Sequence, residues 1–123
     1  MIDEFIVDII NEVSSATDQF PHKVTNDGRL LWIQLRKAYD WWRKFRLQRH
    51  QEVFSYRAIS SELRELRSEV TSSDSYILNP RNMSIFGVTY YVFGFDVQKC
   101  FDVGFDVPDS LNVKQVVVRL KSK

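Results

Sequence analysis

The chain has 123 residues, of which 44% are hydrophobic, 14% aromatic and 27% charged, and its formal net charge is +1. This length and composition predict a single domain with its own hydrophobic core, and they exclude a disordered or low-complexity chain. Cys100 is the only cysteine, so an internal disulfide is excluded, and with only two histidines in the sequence neither a metal site nor a cofactor is expected.

The N-terminal segment, residues 1–28, is predicted to form a helix and a loop. Apolar residues recur at helical spacing over residues 2–13, and the acidic residues near the start suit the positive end of the helix dipole. Residues 14–28 are rich in Ser, Thr, Asn and Asp and end in the turn signal Asp27-Gly28. The segment carries six acidic residues and one basic residue, a net charge of −5.

A second helix is predicted over residues 29–46. Its apolar stripe consists of large side chains at helical spacing, namely Trp32, Leu35, Tyr39, Trp42 and Phe45. Aromatic residues on one such stripe are typical of a core rather than of a ligand platform. Lys37, Arg43 and Lys44 lie elsewhere on the cylinder, where basic side chains ordinarily face solvent.

A third helix is predicted over residues 55–69, with Ser55 as its N-cap. Its apolar stripe repeats at helical spacing and comprises Tyr56, Ile59, Leu63, Leu66 and Val70. The opposite face is basic and rich in hydroxyl groups, with Arg57, Ser61, Arg64 and Ser68, and with Ser60 and Arg67 beside them. Such a face suits contacts to phosphates and to base edges in a major groove, although Glu62 and Glu65 dilute it with local ion pairs.

The remainder of the chain is predicted to be rich in strands. β-Branched and aromatic residues are dense over residues 76–95, with a turn at residues 79–82 and a break at Gly87, a pattern typical of hairpins. In the C-terminal extension, residues 98–123, a further strand is predicted over residues 113–120 because three consecutive valines disfavour an isolated helix.

The small net charge conceals a basic centre. Residues 29–67 carry ten basic and four acidic residues, a net charge of +6, whereas residues 68–123 carry six of each sign. The charge of a segment indicates its partners better than the total does. The acidic N-terminal segment either neutralises this centre by folding against it or leaves it available to an anionic partner.

Two helices followed by a β-hairpin, with a basic centre, predict an α+β winged-helix domain, that is, a helix-turn-helix with a hairpin wing. The predicted domain spans residues 1–123. It comprises an extra N-terminal helix and loop (1–28), the helices and wing (29–97) and a β-rich C-terminal extension (98–123).

Three further features of this architecture are assigned from the sequence. The helix over residues 55–69 is the candidate recognition helix, and the wing comes from the turn at residues 79–82 or from the strands around Gly87. The third short helix that a winged-helix domain normally contains is expected within residues 47–54.

Residues 35–42 and 54–66 resemble the C-terminal winged-helix region of viral, phage and plasmid primase-helicases. The matching positions are Tyr39, Trp42, Ser55, Ile59, Leu63, Gly87 and Tyr90. The helix that contains Phe5 is similar to the segment that follows the ATPase core in those proteins, so the resemblance covers about residues 2–97. It implies a DNA-binding appendage of a replication protein, with DNA and other replication proteins as its partners.

The predicted DNA contacts are basic and hydroxyl side chains on three elements: Arg57, Ser61, Arg64 and Arg67 on the recognition helix, Arg81 on the wing, and Lys37, Arg43 and Lys44 on the preceding helix. The alternative is a protein-interaction or oligomerisation module that uses the same fold without binding DNA. Its contact surfaces would be the acidic first helix and the C-terminal segment.

No catalytic function is predicted. The sequence has no glycine-rich phosphate loop, and neither His22 nor His50 forms a nucleophile motif with Cys100. The tripeptide Phe-Asp-Val occurs three times, at residues 95–97, 101–103 and 105–107. Its aspartates have the chemistry to bind Mg²⁺, but their unequal spacing favours phenylalanines that pack and aspartates that face solvent, or a stretch that docks onto another protein.

No apolar run has the length of a membrane span, and the first residues lack the basic start of a secretory signal. We therefore expect an intracellular protein without a membrane partner. The family resemblance implies the cytoplasm or, for a virus-encoded chain, the cytoplasm or nucleus of the host cell.

Overall fold

The structure, a computed structural model, describes residues 2–15, 19–69 and 76–111, and within 67–69 the backbone only. Its elements in chain order are α1 (Ile2–Ser14), β1 (His22–Thr25), β2 (Leu30–Ile33), α2 (Leu35–Gln48), α3 (Tyr56–Glu69), β3 (Ile77–Ile85), β4 (Val88–Asp96) and α4 (Val97–Asp102). The strands form one antiparallel sheet in the order β1-β2-β4-β3. The predicted α+β class is therefore confirmed.

Two predicted helices form close to their expected bounds. The apolar side of α1 is buried as its spacing predicts, through Ile2, Phe5, Ile6, Ile9, Ile10 and Val13. The α3 helix begins where its predicted N-cap places it, because the Ser55 hydroxyl accepts a hydrogen bond from the Ala58 backbone N–H at 3.1 Å. On the inner side of α3, Ile59 and Leu63 are fully buried.

The predicted helix over residues 29–46 is wrong at its start. Residues Leu30–Ile33 form β2, which pairs with both β1 and β4, and the helix begins at Leu35. The Gln34 side chain ends the strand and starts the helix by accepting from the Lys37 N–H at 2.7 Å. Trp32 therefore lies on a strand and is not part of the stripe of α2. The predicted loop before it also contains a strand, β1.

The two faces of the sheet bury separate clusters. Leu31, Ile33 and Phe95 join the main core, which packs under α1, α2 and α3 around Trp42. The other face carries a smaller cluster of Trp32, Ile85 and Val92, with Leu30, Leu78, Met83 and Tyr90 packed against it. The Trp32 indole N–H donates to the Thr25 hydroxyl at 3.1 Å, so its polar atom is satisfied on this second face.

The hairpin turn lies at one of the two predicted places. Residues 79–82, predicted as a turn, lie inside β3, where the pairing with β4 shifts register between Leu78 and Arg81. The chain reverses instead at Phe86-Gly87, where both residues have positive φ, 51° and 82°. Two consecutive positive φ values are typical of a type I′ hairpin turn, for which glycine is well suited.

The expected helix within residues 47–54 is absent from that segment. Residues 47–48 end α2, and no helix occurs between Arg49 and Ser55. The connection is held by two hydrogen bonds to its carbonyls, from Arg46 Nε to Glu52 at 2.7 Å and from the Tyr39 hydroxyl to Phe54 at 2.7 Å. A third helix, α1, packs with α2 and α3 in the main core instead.

The C-terminal extension is not β-rich within residues 98–111. Val97–Asp102 form the short helix α4, because the Asp96 carboxylate caps it by accepting from the Lys99 N–H at 3.1 Å. The chain beyond α4 forms no strand up to Leu111, whose N–H donates to the Gly28 carbonyl at 2.8 Å. The predicted strand over residues 113–120 lies outside the described residues.

Cys100 is buried on α4, and burial raises the pKa of its thiol to about 12, with smaller contributions from the Asp96 and Asp3 carboxylates. The folded thiol stays protonated at pH values where an unfolded thiol ionises, so the free energy of unfolding should fall as pH rises from about 9 towards 12. At neutral pH we expect no reaction with iodoacetamide until guanidinium unfolds the chain, measured by mass spectrometry. Rapid labelling of the native protein would contradict this.

No helix within the three described ranges is long and apolar enough to cross a membrane.

Candidate nucleic-acid interface

The outer face of α3 carries three of the predicted contact residues. Arg57, Ser61 and Arg64 are exposed there, opposite the buried Ile59 and Leu63. Since this helix is amphipathic, its apolar side fixes it to the core and its basic side stays on the surface. The side chain of Arg67, the fourth predicted contact on this helix, lies outside the described residues.

Glu62 and Glu65 of α3 reduce the positive charge of this face less than the sequence indicates. Glu62 is turned partly inward, and its Oε2 atom is buried without a hydrogen-bond partner among the described residues. Its charge also helps to raise the pKa of Tyr76, after the larger effects of burial and of Asp3 and Cys100. Of the two glutamates, Glu65 alone is exposed beside the arginines.

The acidic first helix neutralises one arginine of the basic centre. Arg46 has a side chain only 11% exposed, and its Nη1 atom lies 3.1 Å from Asp8 Oδ2 while its Nη2 atom lies 3.5 Å from Glu4 Oε2. The same Asp8 oxygen accepts from the Trp42 indole N–H at 2.9 Å. This partly buried network joins α1 to α2, and it leaves the exposed basic residues of α2 and α3 outside it.

The predicted contact residues of α2 lie on two of its sides. Lys37 and Lys44 border a groove, whereas Arg43 is exposed outside the groove lining. Arg36 forms an exposed pair with Asp40 at 3.5 Å, and its guanidinium carbon lies 4.7 Å from the centroid of the Tyr56 ring. That contact brings the first turn of α2 against the first turn of α3.

The groove has a volume of about 600 Å³ and lies between α2, the residues that lead into β1 and the tip of the β3-β4 hairpin. Its lining combines aromatic side chains, among them Trp41, Phe86 and Tyr90, with the cations of Lys37 and Lys44. The carboxylate of Asp40, which is paired with Arg36, also lines it. Sequence reasoning missed this groove. The one available signal was a phenylalanine directly before Gly87, in a turn position that favours asparagine or glycine.

Arg81 is not at the tip of the hairpin. It lies within β3, with its guanidinium carbon 5.6 Å from the centroid of the Trp32 ring. The tip itself is Phe86-Gly87, which carries no charge. A wing contact by Arg81 would thus come from the side of the hairpin.

No group of three or more potential metal-ligating residues occurs in the part of the chain that the structure describes. His22 is buried, with Nδ1 3.0 Å from the Phe20 carbonyl oxygen. Asp96 is also buried, and it binds Arg29 Nε at 3.0 Å while capping α4.

The expected pattern in the Phe-Asp-Val repeats holds only in part. Asp102 and Asp106 face solvent, but Asp96 is buried because it serves as a cap and an ion-pair partner. Phe95 lies in the core and Phe105 packs edge-on against Tyr76 with ring centroids 5.3 Å apart, whereas Phe101 is exposed.

Comparison with protein-family models, with curated proteins and with solved structures gives no match to this chain. The resemblance to primase-helicases therefore stays a prediction from the sequence.

Proposed function

We propose that this chain is a DNA-binding domain of the winged-helix type, and that it contacts DNA mainly through backbone phosphates. The order of α1, β2, α2, α3, β3 and β4 supports the proposed architecture, since it is helix, strand, helix, helix and then a hairpin. The pairing of β2 with β4, and of β4 with β3, builds the small sheet that such a hairpin needs. In this interpretation β1 is an additional edge strand and α1 is the first helix of the domain.

The observation that carries the proposal is the outer face of α3. It presents Arg57, Ser61 and Arg64 to solvent from a helix whose other side is anchored in the core. An α-helix fits the major groove, and arginine and hydroxyl side chains are common donors to phosphates and base edges. None of the ion pairs formed by described side chains involves Arg57 or Arg64.

Further phosphate contacts are proposed from α2 and from the hairpin. Lys37 lies in the first turns of α2, which adjoin the start of α3, and Arg43 and Lys44 follow along the same helix. Arg81 would reach a phosphate from the side of the hairpin. Neutralising about five phosphates predicts a slope of log K against log salt near −4 to −5.

Charge reversal at Arg57→Glu with Arg64→Glu tests the proposal. We expect at least a roughly hundredfold loss of affinity for a mixed-sequence duplex, measured by fluorescence anisotropy at low salt, because attraction to the phosphates becomes repulsion. The circular dichroism spectrum should not change, since both side chains are exposed.

The matched control is Lys23→Glu with Arg49→Glu, which reverses two exposed charges that are not on α3. It should weaken binding far less than the α3 variant. Equal losses of affinity in the two variants would mean that the duplex responds only to the total charge of the protein. Unchanged affinity in the α3 variant would show that α3 does not contact DNA.

A protein-interaction or oligomerisation role is the second candidate. It is favoured by Phe101 and Val103, which are 49% and 58% exposed at the end of α4 although both are large and apolar. Its signature would be a mass that rises with protein concentration, measured by analytical ultracentrifugation, together with no affinity for duplex. With the DNA-binding role we also propose that the chain is part of a replication protein, as an appendage without its own catalytic site.

A further inference from the structure

We propose that the groove between α2 and the hairpin tip binds the unpaired strand of DNA, with a nucleobase against its aromatic side chains and phosphates at its lysines. This inference rests on the proposed DNA binding and adds a second substrate form, single-stranded DNA, at a place separate from the outer face of α3. It involves no catalytic step.

The chemistry of the lining matches this ligand. Phe86 and the part of Trp41 that Phe45 does not cover offer apolar surface in the groove. Lys37 and Lys44 offer two cations beside it, and the one carboxylate among the lining side chains, Asp40, is paired with Arg36. Single-stranded nucleic acids are bound by this combination of stacking rings and positive charge, which tolerates any base sequence. The volume of about 600 Å³ is within the range of pockets that enclose small organic ligands.

Phe86 is the strongest single observation. It is 67% exposed, so it adds little to the core, and its φ of 51° is unfavourable for a bulky side chain. Neither packing nor turn geometry explains a phenylalanine there, since asparagine would fit the turn better. A strained and exposed aromatic residue at the rim of a groove indicates a role in binding.

Trp41 provides a direct optical signal. It is half-buried and stacks on Phe45 with ring centroids 4.8 Å apart. Its ring centroid also lies 5.6 Å from that of Phe20. The other two tryptophans, Trp32 and Trp42, are 6% and 0% exposed. A base that stacks in the groove should therefore quench the emission of Trp41.

The experiment is a titration of the full chain with oligothymidylate of about ten nucleotides, followed by tryptophan emission. We expect saturable quenching in the wild type. Phe86→Asn should weaken this binding roughly tenfold, the loss of one base stack, and at the same time raise the thermal midpoint by about 3 °C because asparagine relieves the turn. The control Phe101→Asn removes an exposed phenylalanine outside the groove and should leave binding unchanged.

The lysines are tested by their salt dependence. Lys37→Gln with Lys44→Gln should reduce the slope of log K against log salt by about 1.4, the value for two phosphates of a single strand. Lys23→Gln with Arg49→Gln, which removes two exposed charges outside the groove lining, should change the slope less.

Several results would overturn the inference: no quenching by oligothymidylate, equal binding by Phe86→Asn and wild type, or equal quenching by an acidic peptide such as polyglutamate. Failure of the proposed duplex binding can be distinguished from failure of the groove assignment. If the wild type binds oligothymidylate but not duplex, the role of α3 is wrong and the groove assignment stands. If Arg57→Glu with Arg64→Glu loses duplex while keeping oligothymidylate, both assignments are supported.

Discussion

Replacing Arg46 by methionine is expected to lower the free energy of unfolding by about 3 kcal/mol, because it leaves the Asp8 carboxylate without its buried cation. The arginine is 11% exposed and the carboxylate 22% exposed, so water compensates only in part. The change also removes the donor to the Glu52 carbonyl that holds the connection between α2 and α3. Chemical denaturation followed by circular dichroism gives the value.

A double-mutant cycle separates the ion pair from the other contacts of Arg46. Asp8→Asn removes the charge but keeps an oxygen that can accept from the Trp42 indole N–H. Arg46→Met combined with Asp8→Asn should therefore be more stable than Arg46→Met alone, with a coupling energy of about 2 kcal/mol. A loss below about 1 kcal/mol in the single variant would mean that the pair behaves like one on the surface.

Gly28→Ala is expected to destabilise the protein by about 3 kcal/mol, since a Cβ atom there would lie 2.1 Å from the Leu111 carbonyl oxygen. Gly28 also has φ of +93°, which disfavours any L side chain. The contact fixes the segment before Leu111 onto the turn between β1 and β2, through the bond from the Leu111 N–H to the Gly28 carbonyl. The substitution must break this contact or distort the turn.

Gly104→Ala is the matched control for the clash. Gly104 has a similar φ of +102°, but its added Cβ would meet no atom within 4 Å. The free energy of unfolding of this variant should therefore fall by about 1 kcal/mol, the effect of backbone strain alone. Thermal denaturation of the two variants compares the effects, and limited proteolysis should cut the segment before Leu111 faster in Gly28→Ala only. Equal destabilisation would show that the contact with Leu111 contributes nothing.

The local sequence pattern predicted the structure correctly where each face of a helix had a single role, either packing against the core or facing solvent. The apolar spacing of α1, the Ser55 cap and the exposure of Arg57, Ser61 and Arg64 on α3 are present as predicted, because helical period, capping and amphipathicity act within a few residues. Ser60, predicted beside that face, is instead buried. Gly87 was also identified as a break, since a turn with positive φ favours glycine wherever the turn lies.

Short segments were predicted wrongly where the same residues are compatible with two kinds of local structure. Leu30–Ile33 satisfies a helical stripe through Trp32 as well as it satisfies a strand, and its pairing with β1 and β4 decides for the strand. Residues 79–82 contain turn-forming residue types, yet Arg81 and Asn82 pair with β4 and the two residues before them form the register shift within β3. In both cases the deciding hydrogen bonds come from residues far along the chain.

The sequence by itself determined the α+β class, two of the helices, the charge of each segment and the placement of Arg57 and Arg64 on one face of α3. Tertiary structure alone decided which arginine is buried by α1, where Arg81 lies, and that the hairpin tip stands across from α2 to form the groove. The physical reason is distance along the chain. Propensity, capping and periodicity act between near neighbours, whereas a groove or an ion-pair network depends on packing between segments that no local pattern relates.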